Sequence, residues 1–320
     1  MGEYMKKLMT SLFVFMFSLM AFTQVYAVID VDATQIDPSE KEYIKIRQLL
    51  TQVKRRPLIE ENFERLEKAI SLCNRKSSKA ELYFLMSQIR QHTPLEGEYK
   101  SYTDSLDLQS AMNYIDKAIS LDKTQAKYYF QKASVYDYVR DFHNAVIYCD
   151  KAIELDPKNS DYVYARAQFN FYMKNYENAL KDVSKALEIN KKPEYYGTKS
   201  FYEKEVGNKQ EALKDIEKAI EFGDKTPNYY VYLRRRAELK FELGIDEEET
   251  LKDLDTVIEK EQINDNNKYW AYTIKGQFLE VKEEYAKALE AYKAAEKLTE
   301  LKTFFQNKIK FLENKLNNKK

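Results

Sequence analysis

The chain has 320 residues, enough for about two ordinary domains, with 52 basic and 52 acidic side chains. Its 7 Gly and 6 Pro are too few for the tight turns of a β-rich fold, so a helical protein is expected. A formal charge of zero gives no long-range field to draw in nucleic acid or anionic lipid, and no nucleic-acid partner is expected.

In chain order, the first element is an export signal. Lys6 and Lys7 form a basic start, Leu8 to Phe22 is uncharged, and Val25-Tyr26-Ala27 places small residues at −3 and −1 of a cleavage site after Ala27. The alternative is an uncleaved anchor. Fifteen helical residues rise only ~22 Å against a ~30 Å hydrocarbon core, which favours cleavage of residues 1–27. Removal takes two basic and one acidic residue from the 52 of each, leaving 50 and 51. No Cys follows the apolar run, so the acylation site of a bacterial lipoprotein is absent, and no second span of ~20 apolar residues occurs. The expected address is periplasmic or secreted, with no stable membrane span after signal cleavage. Residues 28–42 read as a linker.

Beyond it the sequence repeats itself. Ala111, Ala145, Ala179, Ala212, Thr250 and Ala288 are separated by 34, 34, 33, 38 and 38 residues. Seven positions after each stands another small or β-branched residue: Ala118, Ala152, Ala186, Ala219, Val257 and Ala295. A degenerate unit spans 43–76, with Asn62 at a small-residue position. An insertion-bearing unit spans 80–125, its extra length in His92–Asp107, where Pro94, Gly97 and Asp104 signal a loop. Repeats follow at 126–159, 160–192, 193–226, 227–263 and 269–302. In the segment 303–320, preceded by Leu301, the residues Phe304, Phe305, Ile309 and Leu312 align as the stripe of a capping helix with a frayed tail.

These copies resemble the tetratricopeptide repeat family. The family pattern has a small residue at position 8, an aromatic at 17, Ala at 20 and 27, and Pro at 32. The 126–159 copy carries Ala133, Phe142, Ala145, Ala152 and Pro157 there. The next carries Ala167, Tyr176, Ala179 and Ala186, with Lys191 in place of proline, and the last carries Gly276, Tyr285, Ala288 and Ala295. The resemblance implies an all-α, right-handed superhelical solenoid of helical hairpins with a C-terminal capping helix. Stacking is then obligatory, because one hairpin cannot bury its apolar face alone. Cys73 and Cys149, the only cysteines, fall two hairpins apart in this register and are expected to be buried free thiols.

No catalytic constellation emerges. His92 and His143 stand apart, no Cys/His set suits zinc, and no glycine-rich phosphate loop exists. An enzyme is not expected, nor a cofactor or metal. Tyr128, Tyr162, Tyr195 and Tyr232 recur at position 3 and read as hairpin packing. The family's concave face is lined by first-helix positions near 2, 5, 9, 12 and 13. Carried over, these give Phe130, Ser134 and Tyr138, then Tyr164, Gln168, Phe171 and Tyr172, then Phe201 and Arg234. The resemblance thus implies a protein- or peptide-binding face with an aromatic stripe from Phe130 to Phe201, since binding hot spots favour Tyr, Trp and Arg. The other reading of these rings is helix packing, because a one-position register error turns every assignment by ~100°. The clamp that grips chaperone tails is absent: Phe130, Ser134, Tyr164 and Gln168 replace its basic and amide residues. The expected function is an exported scaffold for a protein or peptide partner. The alternative is a self-assembling structural component or assembly factor of the cell envelope, a possible homo-oligomer.

Overall fold

A computed structural model describes residues 36–55, 61–92, 107–224, 226–262, 264–300 and 302–317. Every regular element among them is a helix, fifteen in all. The signal segment with Ala27, and residues 93–106 of the expected insertion, lie outside the described residues. The chain divides into two compact units, Met1–Met173 and Lys174–Lys320.

The first unit holds α1 (Tyr43–Arg55), α2 (Glu61–Leu72), α3 (Lys76–His92), α4 (Leu108–Leu121), α5 (Ala126–Tyr138), α6 (Phe142–Leu155) and α7 (Ser160–Tyr172). Consecutive helices pack pairwise, and α3 also touches α5 directly. Ala111, Ala118, Ala133, Ala145 and Ala152 are sealed at these crossings, where a methyl side chain lets two backbones approach. Cys73 and Cys149 are buried and unbridged, and burial pushes the Cys73 thiol up to about 11. Asn62 is buried at its small-residue position and its Oδ1 accepts from Arg65 Nη1 at 2.9 Å.

The linker expectation is corrected at its end. Ile36 is 2% exposed within the core of Ile46, Leu50, Phe63, Leu66 and Met86. The buried Glu40 carboxylate accepts from the amides of Asn74 and Arg75, at 2.8 and 2.9 Å, just before α3. Those amides have no intrahelical partner, and a carboxylate there also complements the helix dipole. Residues 36–42 are thus a docked segment.

The second unit holds α8 (Tyr176–Ile189), α9 (Pro193–Glu205), α10 (Lys209–Phe222), α11 (Tyr229–Leu243), α12 (Glu247–Lys260), α13 (Asp265–Val281), α14 (Tyr285–Lys297) and α15 (Lys302–Asn317). Helix α13 begins four residues before the expected 269 because Asn264 caps it, its side chain accepting from the Asn267 amide. A Cβ on Gly276 would stand 2.8 Å from the buried Tyr292 ring, so the small residue there is a packing requirement. Helix α15 caps the unit with Phe305 and Leu312, each 0% exposed, against Tyr269, Tyr292 and Ala295. Tyr128, Tyr162, Tyr195 and Tyr232 are all buried, as packing residues should be.

First helices end in a shared turn. Arg140, Lys174, Gly207, Gly244 and Glu283 adopt positive φ, at 57°, 62°, 92°, 69° and 59°. At Arg140, Gly207, Gly244 and Glu283 that residue donates its amide to the carbonyl three back. The next amide reaches five back: Asp141 to Tyr136, Asn208 to Glu203, Ile245 to Lys240 and Glu284 to Leu279, at 2.8–3.0 Å. These paired bonds satisfy carbonyls that the helix end would orphan. A side chain in the left-handed region costs about 1–2 kcal/mol, and glycine avoids that cost. Glu283→Gly is therefore expected to raise the unfolding free energy by about 0.5–1 kcal/mol after the entropy of the unfolded chain is included, and Gly207→Ala to lower it by about 1 kcal/mol. Urea titrations followed by circular dichroism check both signs.

Candidate functional site

The expected site residues lie on first helices, and each unit uses that face differently. In the first unit, α3 and α5 are joined by a polar seam. Glu81 accepts from Lys127 and from the Tyr128 hydroxyl, at 2.8 and 2.6 Å. Gln131 donates to Gln91, and Gln91 Nε2 donates to Ser134 Oγ at 2.8 Å. The Tyr138 hydroxyl meets His92 Nδ1 at 3.0 Å, with the rings edge to face at 5.5 Å. Ser134 and Tyr138 are thereby positioned by α3. Burial lowers the His92 pKa to about 4, so its ring is neutral at pH 7.

Phe130 packs on Tyr162 with ring centroids 4.7 Å apart, beside the core of Ala133, Ala145, Cys149 and Ala165. Its ring joins α5 and α7 and remains partly exposed. On α7, Tyr164, Gln168, Phe171 and Tyr172 are partly exposed and share one face by their four-, three- and one-residue steps. Tyr172 stacks on Phe142 at 4.9 Å and meets Phe171 edge to face. Burial pushes its hydroxyl up to about 12, and nearby Asp137 adds to the effect. Asp137, at a concave position of α5, is itself raised to about 6 by burial, with Arg140 only partly opposing.

In the second unit the face is a charge network. Phe201 on α9 lies under the Arg235 guanidinium at 5.5 Å. Arg234 on α11 is 8% exposed, its Nε donating to Asn267 Oδ1 at 2.8 Å. Lys204 contacts Glu238 and Glu242 at 2.7 and 2.9 Å, and Lys209 contacts Glu242 at 2.9 Å. Burial opposes the charge on Glu238, yet Lys204 and Arg234 hold its carboxyl below the usual range. The binding expectation for Arg234 is corrected: a desolvated guanidinium needs fixed partners, and it has them inside the fold.

Sequence reasoning overlooked a recurring cation. Position 7 of the five regular repeats is Lys132, Arg166, Lys199, Arg236 and Lys275. Each meets an aspartate on a second helix: Asp116 and Asp150 at 2.6 Å, Asp215 at 2.7 Å, Asp253 through two bonds of 2.7 and 2.8 Å, and Asp255. The signal was available, since the same charge recurs at one position in consecutive copies.

The raised Asp137 pKa has a consequence for stability. Its folded value lies above the unfolded one, so stability is fully present below about pH 4 and is lost as pH rises through about 6. Asp137→Asn should therefore be more stable than the natural chain at pH 7, by about 1–3 kcal/mol, and equal to it near pH 4. Paired urea titrations at the two pH values check this. His92 contributes equally to both chains and cancels.

The tetratricopeptide repeat family model matches residues 126–159 and 160–193. No curated protein sequence gives a significant match. Among solved structures, a tetratricopeptide repeat protein from Parabacteroides merdae superposes with TM-score 0.54 at 19% identity, over 84% of this chain and 99% of that one. PilF of Pseudomonas aeruginosa gives 0.56 at 15% identity, over 72% and 97%. YrrB, described as a tetratricopeptide protein with an unusual peptide-binding site, gives 0.51 at 21% identity, over 61% and 97%. Likeness at these identities establishes the fold: a tetratricopeptide-type helical solenoid.

Proposed function

We propose that this chain is an exported, non-enzymatic scaffold that holds a protein or peptide on the first-helix face of its hairpins. One observation carries the reading. Tyr164, Gln168, Phe171 and Tyr172 share a face of α7 and remain partly exposed, although the position-3 tyrosines of the same fold are buried. Large rings with hydrogen-bonding tips supply contact area at small ordering cost, and a preformed helix face lowers that cost further. The peptide-binding site of YrrB supports the reading at the level of fold analogy. Residues 1–27 carry the export part of the proposal, and among the described residues no helix is long and apolar enough to cross a membrane.

End-to-end self-assembly draws less support. The apolar stripe of α15 is used inside its own unit, where Phe305 and Leu312 are covered, and Phe311 is its exposed large apolar residue.

Two measurements test the proposal. The double variant Tyr164→Ala, Phe171→Ala should lose at least tenfold in affinity for a partner captured from the producing cells, while its helical circular dichroism is unchanged. Retained affinity would place binding on another face. Mass spectrometry of the chain recovered from those cells should find Val28 at its start, and a chain that keeps Met1 would overturn cleavage.

A further inference from the structure

We propose that residues 36–42 form a releasable strap, which fills from within the chain a site for a peptide of the same pattern: an apolar residue followed four places later by a carboxylate. The strap is held at two points. Ile36 enters the core of the first hairpins, and the Glu40 carboxylate accepts from the amides of Asn74 and Arg75 at 2.8 and 2.9 Å. Pro38 and Ser39, between these anchors, are exposed. Asp37 shapes the bridge by accepting from the amide and the hydroxyl of Ser39, at 2.8 and 2.6 Å, and it meets Arg75 at 3.0 Å. The amides that hold Glu40 stand 34 and 35 residues away in sequence, so the segment meets its site much as a separate peptide would.

Each anchor selects one kind of side chain. Backbone amides at the start of α3 lie at the positive end of its dipole, so they favour a negative oxygen. A cation at that place meets repulsion from the dipole and from Arg75. The apolar place belongs to the core shared by α1, α2 and α3. Ile36 is the strap's one buried apolar residue there, and Ile46, Leu50, Phe63, Leu66 and Met86 remain to hold the three helices when it leaves. Release therefore uncovers an apolar opening together with a helix N-terminus and leaves the hairpin standing. Pro38 restricts the bridge before it docks, which lowers the ordering cost of binding. The site is built from α1, α2 and α3 and is separate from the ring-bearing face of α7.

The test uses the full chain and a blocked synthetic peptide copying residues 36–42. In the variant Ile36→Ser, Glu40→Gln the strap loses both anchors, and this chain should bind the peptide about tenfold more tightly than the natural chain does. A peptide with glutamine at the place of Glu40 should bind the variant about tenfold more weakly. Adding Tyr164→Ala and Phe171→Ala to the variant should leave peptide binding unchanged. Circular dichroism confirms that the variants fold. On the natural chain, hydrogen exchange reads the strap directly. The amides of Asn74 and Arg75 should exchange about tenfold faster than those of Leu85 and Met86 within α3, because strap opening leaves the helix intact. Equal peptide binding by the natural chain and the strap variant, indifference to the glutamate, or one exchange rate for all four amides overturns the strap and leaves the α7 reading standing. Loss of peptide binding on replacing Tyr164 and Phe171 overturns it as well, and moves the peptide to the α7 face.

Discussion

Close approach of helix backbones at alanine is the constraint on which this structure rests. Helices of 13 or 14 residues, such as α5 and α6, are marginal in isolation, because propensity alone hardly repays nucleation. Ala133, Ala145 and Ala152 have no accessible surface, and neither do their counterparts Ala167, Ala179 and Ala186. A larger side chain at any of them would push the helices apart and uncover the apolar residues that hold successive hairpins together. The same economy explains Gly276, whose missing side chain is replaced by the ring of Tyr292. The aspartate met by the position-7 cation then adds a directional bond at each helix crossing, fixing how far one helix slides along another.

With the backbone frame fixed, the first-helix faces are free to differ. In the first unit the seam between α3 and α5 is built from amides, hydroxyls and one neutral imidazole, and α7 carries partly exposed rings. In the second unit the equivalent positions are occupied by Lys204, Arg234, Glu238 and Glu242, which satisfy one another. The polar groups of that network are already satisfied within the unit, whereas the rings of α7 remain partly exposed. The rings that the proposed binding would use therefore lie in the first unit, and the second unit's face is largely paired within itself.

The repeat frame was readable from sequence because spacing of small residues is a one-dimensional signal, and the packing role of Tyr128, Tyr162, Tyr195 and Tyr232 followed from it. What lay beyond reach depended on neighbours. Position 5 of the repeat gave Phe130 and Arg234 as surface residues, but Tyr162 of the following hairpin packs on the first and Asn267 of the following hairpin accepts a hydrogen bond from the second. A position number states which way a side chain leaves its helix, and says nothing of what arrives from the next one. Ile36 and Glu40 escaped for a different reason: an isolated apolar residue and a lone acid in an irregular segment carry no period.

The two-bond turn that closes the first helices has a kinetic meaning. It is made wholly from local backbone, and the farthest-reaching contacts described above, Glu81 to Tyr128 and His92 to Tyr138, join residues only 47 and 46 apart. Nothing in such a hairpin waits for a distant stretch of chain, so loop-closure entropy stays small and formation belongs to the fast, low-contact-order regime. A polypeptide of this design can be assembled vectorially, each hairpin docking on the one already formed as the chain is delivered from its amino-terminal end.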